Sequence, residues 1–206
     1  MNRKINWFGL AAGVTILIVL VISFFVPWWQ LAVAQDLIKV NASPVNTNFS
    51  LFGTPFTIPL IWALNIISIL TLVASGVLML LYSVFPTKSY AKELLGFSYK
   101  KPLYALIFFL AGLIVTISIA GVLGLSIPLM GSTTLSIPPQ FVPTGFSINA
   151  LVSGSFQLPF WLAILAAALC IATRLYHGRV SEIAEISVYG KMEKAPTFPI
   201  ESPAQS

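Results

Sequence analysis

Four apolar stretches constrain this chain more than any other feature: Trp7 to Trp29, Leu60 to Phe85, Pro102 to Leu125 and Leu158 to Tyr176. An α-helix rises 1.5 Å per residue, so about 20 apolar residues cross the roughly 30 Å of bilayer hydrocarbon. With 57% hydrophobic and 8% charged residues, against about 25% charged in soluble domains, the chain has too little polar surface to cover itself in water. The expected fold is an all-α membrane protein, a multi-pass four-transmembrane-helix bundle with a small β-containing outer cap. The bundle with its loops occupies residues 1–179. Outer loops fall at about 30–59 and 126–157, an inner loop at 86–101, and a largely disordered cytoplasmic tail at 180–206.

The net charge of +5 is a topology signal more than a nucleic-acid signal. Arg3 and Lys4 precede the first stretch, Lys88, Lys92, Lys100 and Lys101 lie between the second and third, and Arg174, Arg179, Lys191 and Lys194 sit at or beyond the end of the fourth. Only Lys39 falls in an outer loop. Basic segments stay cytoplasmic, which places both termini inside a cell membrane. Lys88, Lys92, Lys100, Lys101, Arg174 and Arg179 are then expected beside lipid headgroups of the bilayer.

Cys170 is the single cysteine, so no disulfide can form within the chain. Two tripeptides, Asn41-Ala42-Ser43 and Asn48-Phe49-Ser50, match the glycosylation acceptor pattern in the first outer loop. The basic start, apolar run and Ala32-Val33-Ala34 offer a signal-peptide reading, but the run exceeds the usual 7 to 15 residues. Trp28-Trp29 reads as an interfacial aromatic anchor.

The chain also resembles itself at an offset of about 100 residues. Phe56-Thr57-Ile58-Pro59-Leu60-Ile61-Trp62-Ala63 aligns with Phe156-Gln157-Leu158-Pro159-Phe160-Trp161-Leu162-Ala163, and Val26-Pro27 matches Ile127-Pro128. A duplicated helical hairpin follows, both halves starting inside, as a parallel repeat about the membrane normal.

Short β-prone runs punctuated by Gly, Pro and Asn occur at Asp36 to Val40, Asn48 to Phe52, Thr133 to Ile137 and Phe146 to Val152. The outer loops are almost free of charge: only Asp36 and Lys39 occur in the first, and none from Ser126 to Gln157. Long exposed loops normally carry charge for solubility. Its lack implies either burial against a partner or an acidic exterior, such as an acidophile's envelope. On the inner side, Tyr90, Leu94, Leu95 and Phe97 among lysines predict an interfacial segment at Pro86 to Lys101, and Ser181 to Ser187 a helical turn or two. Pro196-Thr197-Phe198-Pro199 allows a docking motif for a partner.

The centres of all four stretches lack ionisable residues, which argues against a proton relay or a carboxylate ion site. His177 is the only histidine, so neither a bis-histidine haem nor a catalytic triad is expected, and no metal-ligand spacing or phosphate loop occurs. No catalytic, cofactor-binding or metal residue is assigned. Small and polar residues at three- and four-residue steps read as helix-packing seams: Gly9 and Gly13; Asn65, Ser68, Thr71 and Ser75; Gly112, Thr116, Ala120 and Gly124; and Ala163, Ala166, Ala167 and Cys170. Asn65 is expected to hydrogen-bond a neighbouring helix.

The layout of four spans, cytoplasmic ends and β-containing outer loops resembles that of the claudin-like tetraspans. Trp28-Trp29 is followed by neither their Gly-Leu-Trp pattern nor paired cysteines, and the tetraspanin Cys-Cys-Gly signature is missing too. The residues point to a non-catalytic structural or accessory subunit of a larger membrane or envelope assembly, partnered by other subunits or by itself. A small-solute channel or transporter and a subunit of a membrane redox enzyme are the alternatives.

Overall fold

The computed structural model describes residues 5–34, 36–86, 88–136 and 149–192, with side chains as far as Thr134 in the third stretch and Gly178 in the fourth. The elements in chain order are α1 (Trp7–Ser23), β1 (Trp29–Val33), β2 (Ile38–Ala42), β3 (Asn48–Leu51), β4 (Thr54–Phe56), α2 (Pro59–Val84), α3 (Ala91–Val122), β5 (Gly131–Ser136), β6 (Asn149–Phe156) and α4 (Leu158–Met192). Three helices are long and apolar enough to cross a membrane: α2, α3 and the Leu158–Gly178 part of α4.

The first apolar stretch divides differently from the sequence expectation. Its helix stops at Ser23, and 17 residues rise only about 26 Å. Pro27 forces the break: its ring disfavours helical backbone at Val26 and it brings no amide donor. The rest of the stretch, from Trp29, becomes a strand.

The helices form a ring in which α1 touches α2 and α4, and α3 touches the same two from the other side. Glycine makes the tightest contact possible. A Cβ on Gly13 would lie 3.1 Å from the Gly76 carbonyl oxygen and 2.8 Å from Leu80, and one on Gly76 would lie 2.8 Å from Leu17. Ala12, Ile16, Met79, Tyr82 and Cys170 fill the centre.

Pro102 was expected to open the third helix, but α3 runs unbroken from Ala91 with Pro102 inside it. The interfacial segment is therefore largely the first turns of α3, and Leu95 and Ser98 are buried there. Proline cannot donate to the carbonyl four residues back, which is that of Ser98. The Ser75 hydroxyl on α2 donates to that carbonyl instead, so the defect in one helix is repaired by its neighbour. Ser75→Ala leaves a buried acceptor without a partner and should cost about 1–3 kcal/mol in detergent unfolding. In a Pro102→Ala background the restored amide supplies the missing donor, and the same substitution should cost markedly less. Equal costs in both backgrounds would show that Ser75 does not serve this carbonyl.

The cap is larger than expected. A single six-stranded antiparallel sheet, ordered β4-β3-β2-β1-β6-β5, joins both loops. Its central strand β1 pairs with β2 from Trp29↔Ala42 to Val33↔Ile38, and with β6 from Trp29↔Phe156 to Val33↔Val152. The sheet rises where α1 and α3 end and α2 and α4 begin, so the α2–α3 connection lies at the opposite end of the bundle. α4 continues past Tyr176 to Met192, making the first part of the tail helical. Arg3, Lys4, Ile137, Phe146 and residues 193–206, which include Lys194 and the Pro196–Pro199 motif, lie outside the described residues.

Candidate functional site

Side chains alternate across a strand, and the sheet register carries that alternation from strand to strand. One face presents Trp29, Leu31 and Val152, which pack with Leu113 of α3. The opposite face presents Gln30, Lys39, Asn41, Asn48, Ser50, Ser132, Thr134, Ser153 and Ser155, together with Ala32, Pro55 and the exposed Leu151. Hydroxyls and amides make this surface predominantly polar, and among the described residues Lys39 is its one charge. It can form hydrogen bonds in either sense without titrating.

The acceptor asparagines belong to a network on that face. Asn41 and Asn48 are opposite one another on β2 and β3. Asn41 Nδ2 donates to Asn48 Oδ1 at 3.0 Å, Asn48 Nδ2 to Asn46 Oδ1 at 3.2 Å, and Asn46 Nδ2 to the Phe24 carbonyl at 3.1 Å, tying the sheet to the end of α1. A glycan on either nitrogen would remove a donor from this chain. Asn41 Oδ1 is buried without a partner.

Where sheet meets bundle, the two tryptophans depart from their expected interfacial position. Trp28 is 2% exposed and Trp29 3%. The Trp28 ring meets Phe109 edge-on at 5.1 Å and Phe160 at 6.4 Å, and its Nε1–H donates to Ser23 Oγ at 2.7 Å. Trp29 Nε1–H donates to the Leu129 carbonyl at 2.8 Å. Indole is amphipathic, and an internal acceptor satisfies its one donor as well as headgroup water does.

The seam residues divide into two sets. A Cβ on Gly9 would lie 3.2 Å from Thr173 of α4 and 3.4 Å from Tyr82 of α2, and Gly13 meets α2 closely as well. Ser75 and Ala120 are buried, and Ser68 is half-buried. Gly112 and Thr116 are exposed, with nothing within 4 Å of a Cβ placed on Gly112, and Gly124 ends α3 with φ +81°. Asn65 is buried at 8%, yet among the described residues its amide makes no hydrogen bond to a neighbouring helix, contrary to expectation. α2 supplies that crossing bond through Ser75 instead.

At the far end of the bundle, Arg174 stacks on Tyr99 at 4.8 Å and Lys101 on Phe97 at 5.0 Å, while Lys88, Lys92 and Lys100 are exposed. The Arg179 side chain lies outside the described atoms. Asn6 caps α1, its Oδ1 accepting from the Gly9 amide at 3.1 Å, and its Nδ2 donates to the Tyr82 hydroxyl at 3.1 Å. His177 places its ring edge-on to Tyr82 at 5.5 Å. Asn6 went unread in the sequence, although an asparagine just before an apolar run is a helix-start signal.

Among the described residues, no three His, Cys, Asp or Glu side chains gather as a metal site would need. The cavity between Ile16, Leu72, Pro102 and Ala166 holds about 10 Å³, room for one water. No known protein family and no curated protein sequence matches this chain.

Proposed function

We propose that the chain is a four-span subunit of a membrane or cell-envelope assembly, non-catalytic, with its termini in the cytoplasm and its sheet outside. The observation that carries this reading is the sheet itself. Strands from both loops share one hydrogen-bonded, nearly charge-free sheet, and among the described residues the bundle beneath is centred on packed side chains such as Ile16, Met79 and Tyr82. Wide apolar exposure on the helices, as at Trp62, Leu70, Phe108 and Leu175, suits lipid and not water. The position of α1 between α2 and α4 favours its crossing with them despite its length. Cleavage after Ala34 would remove β1, the strand joining the halves of the sheet, which favours retention of the first helix.

The reading is tested by extraction in mild detergent followed by crosslinking mass spectrometry. The expected result is a complex larger than the monomer with crosslinks to the sheet; a lone monomer with all loops solvated would overturn it. Orientation is tested separately, and a cysteine at Ser132 should label from outside intact cells. One at Lys100 should label only after permeabilisation.

The polar groups of the outer sheet face also favour an acidic exterior, because hydroxyls and amides hold no proton to gain as pH falls. Tryptophan fluorescence from Trp28 and Trp29 should therefore stay constant from pH 7 to about pH 3. A transition in that range would count against the acid reading.

A further inference from the structure

Cations gather on the edge of α3 that faces α4, at the end of the bundle opposite the sheet. Gly96 stands one turn after Lys92 and one turn before Tyr99 and Lys100, so the four share one side of the helix. From α4, Arg174 lays its guanidinium over the Tyr99 ring at 4.8 Å, and Lys100 Nζ lies 6.0 Å from the centre of the same ring. The charges of Arg174 and Lys92 both act on His177, one turn along α4 from Arg174. Among the described residues, no carboxylate pairs with Lys92, Lys100 or Arg174. Like charges collected in this way repel one another, and an anion between them relieves the repulsion.

The helix surface between these cations is bare. Nothing lies within 4 Å of a Cβ placed on Gly96, so a notch is open between Lys92 on one side and Lys100 on the other. Stacking on Tyr99 occupies the face of the Arg174 guanidinium and leaves its N–H edge free. That edge is the one that grips a phosphate through two parallel bonds.

The position of the notch points to a lipid. Ser75 of α2 donates to the Ser98 carbonyl and lies about 13 Å short of the Val84 end of its helix; over that stretch α2 exposes Val77 and Leu81. Tyr99 and Lys100 therefore stand deeper than the level at which α2 ends. Toward the sheet, Ile107 follows two turns after Lys100, and Ile171 lies one turn from Arg174. They are 49% and 45% exposed, an apolar track that suits an acyl chain and not a soluble anion.

We propose that the notch holds the phosphate of one acidic phospholipid of the inner leaflet, between Arg174, Lys92 and Lys100, with an acyl chain along Ile107 and Ile171. This proposal rests on the reading that α3 and α4 cross the membrane with the α2–α3 connection inside. General attraction of lysines to headgroups follows the number of cations. The site instead follows which cations are present and whether Gly96 leaves room.

The test places the full chain in nanodiscs of phosphatidylcholine with a minor share of phosphatidylglycerol, releases it in mild detergent and counts retained lipid by native mass spectrometry. The expected result is one phosphatidylglycerol per chain. Gly96→Leu keeps every charge and fills the notch, and should lower retention about tenfold; Arg174→Lys keeps the charge but loses the fork, and should do the same. Lys88→Gln removes a charge outside the notch and should leave retention unchanged. An equal loss for Lys88→Gln and Gly96→Leu, with the chains folded by their tryptophan emission, would overturn the proposal. Release of the lipid by inorganic phosphate would assign the notch to a soluble anion and overturn it as well. A chain that entered the bilayer but retained phosphatidylcholine equally would remove only this proposal, whereas one that failed to enter would remove the membrane reading too.

Discussion

Trp28→Ala should destabilise the protein by about 3–5 kcal/mol, among the largest effects of any single truncation in this chain. The indole fills the space between the end of α1, Phe109 of α3 and Phe160 of α4, so its removal opens a cavity bounded by three helices that cannot all close on it. Two connections also fail. The Ser23 hydroxyl loses its donor, and the backbone at residue 28, which donates to the Ala42 carbonyl and accepts from the Gln157 amide, loses the anchor that holds it between two strands. A Trp28→Phe variant separates the parts, since it keeps most of the ring and loses only the donor, costing about 1 kcal/mol. In thermal unfolding, a chain of this size should show the alanine variant roughly 6–20 °C lower. Equal shifts for alanine and phenylalanine would mean that the hydrogen bond, and not the packing, holds the junction; no shift for either would place Trp28 outside the core.

How much of this could be read in the sequence depended on periodicity. The long apolar helices were legible because length alone marks them, and α2 begins within one residue of the expected position. β1 was not legible: Trp29-Gln30-Leu31-Ala32-Val33 continues an apolar run, and a short apolar segment cannot be assigned to helix or strand by period alone. Only its partners β2 and β6, which supply the backbone bonds, make it a strand. β4 was hidden by its three-residue length and by Pro55. Pro102 was read as a helix start because proline is favoured there; the acceptor it orphans is satisfied by Ser75, 27 positions earlier, and no local pattern encodes that bond. The same holds for the platform as a site. The absence of charge in the loops was plain, but which polar residues share a face follows from register, and register was fixed by pairing between loops 100 residues apart.

Gly154→Ala gives the clearest case of packing overruling propensity, and it should destabilise by about 2–3 kcal/mol or more. Glycine within a strand is worse than alanine by roughly 0.5–1 kcal/mol, so on propensity alone the substitution would stabilise β6. The surroundings reverse the sign. A Cβ at position 154 would run into the carbonyl oxygen of Pro128 and come within 3.3 Å of the Trp29 ring. The first obstacle is backbone, which no rotamer change can clear, and Trp29 is fixed by its bond to the adjacent Leu129 carbonyl. Relief requires β6 and the Pro128 segment to move apart beside the Trp29 ring, so the loss should be read in Trp29 emission as well as in melting temperature. Gly112→Ala is the matching control. Nothing lies within 4 Å of a Cβ there, and in the isolated monomer the helix should gain about 0.5–1 kcal/mol. If Gly154→Ala instead matched Gly112→Ala, the close approach of β6 to Pro128 would be refuted, and with it the route by which the second loop is locked to the first.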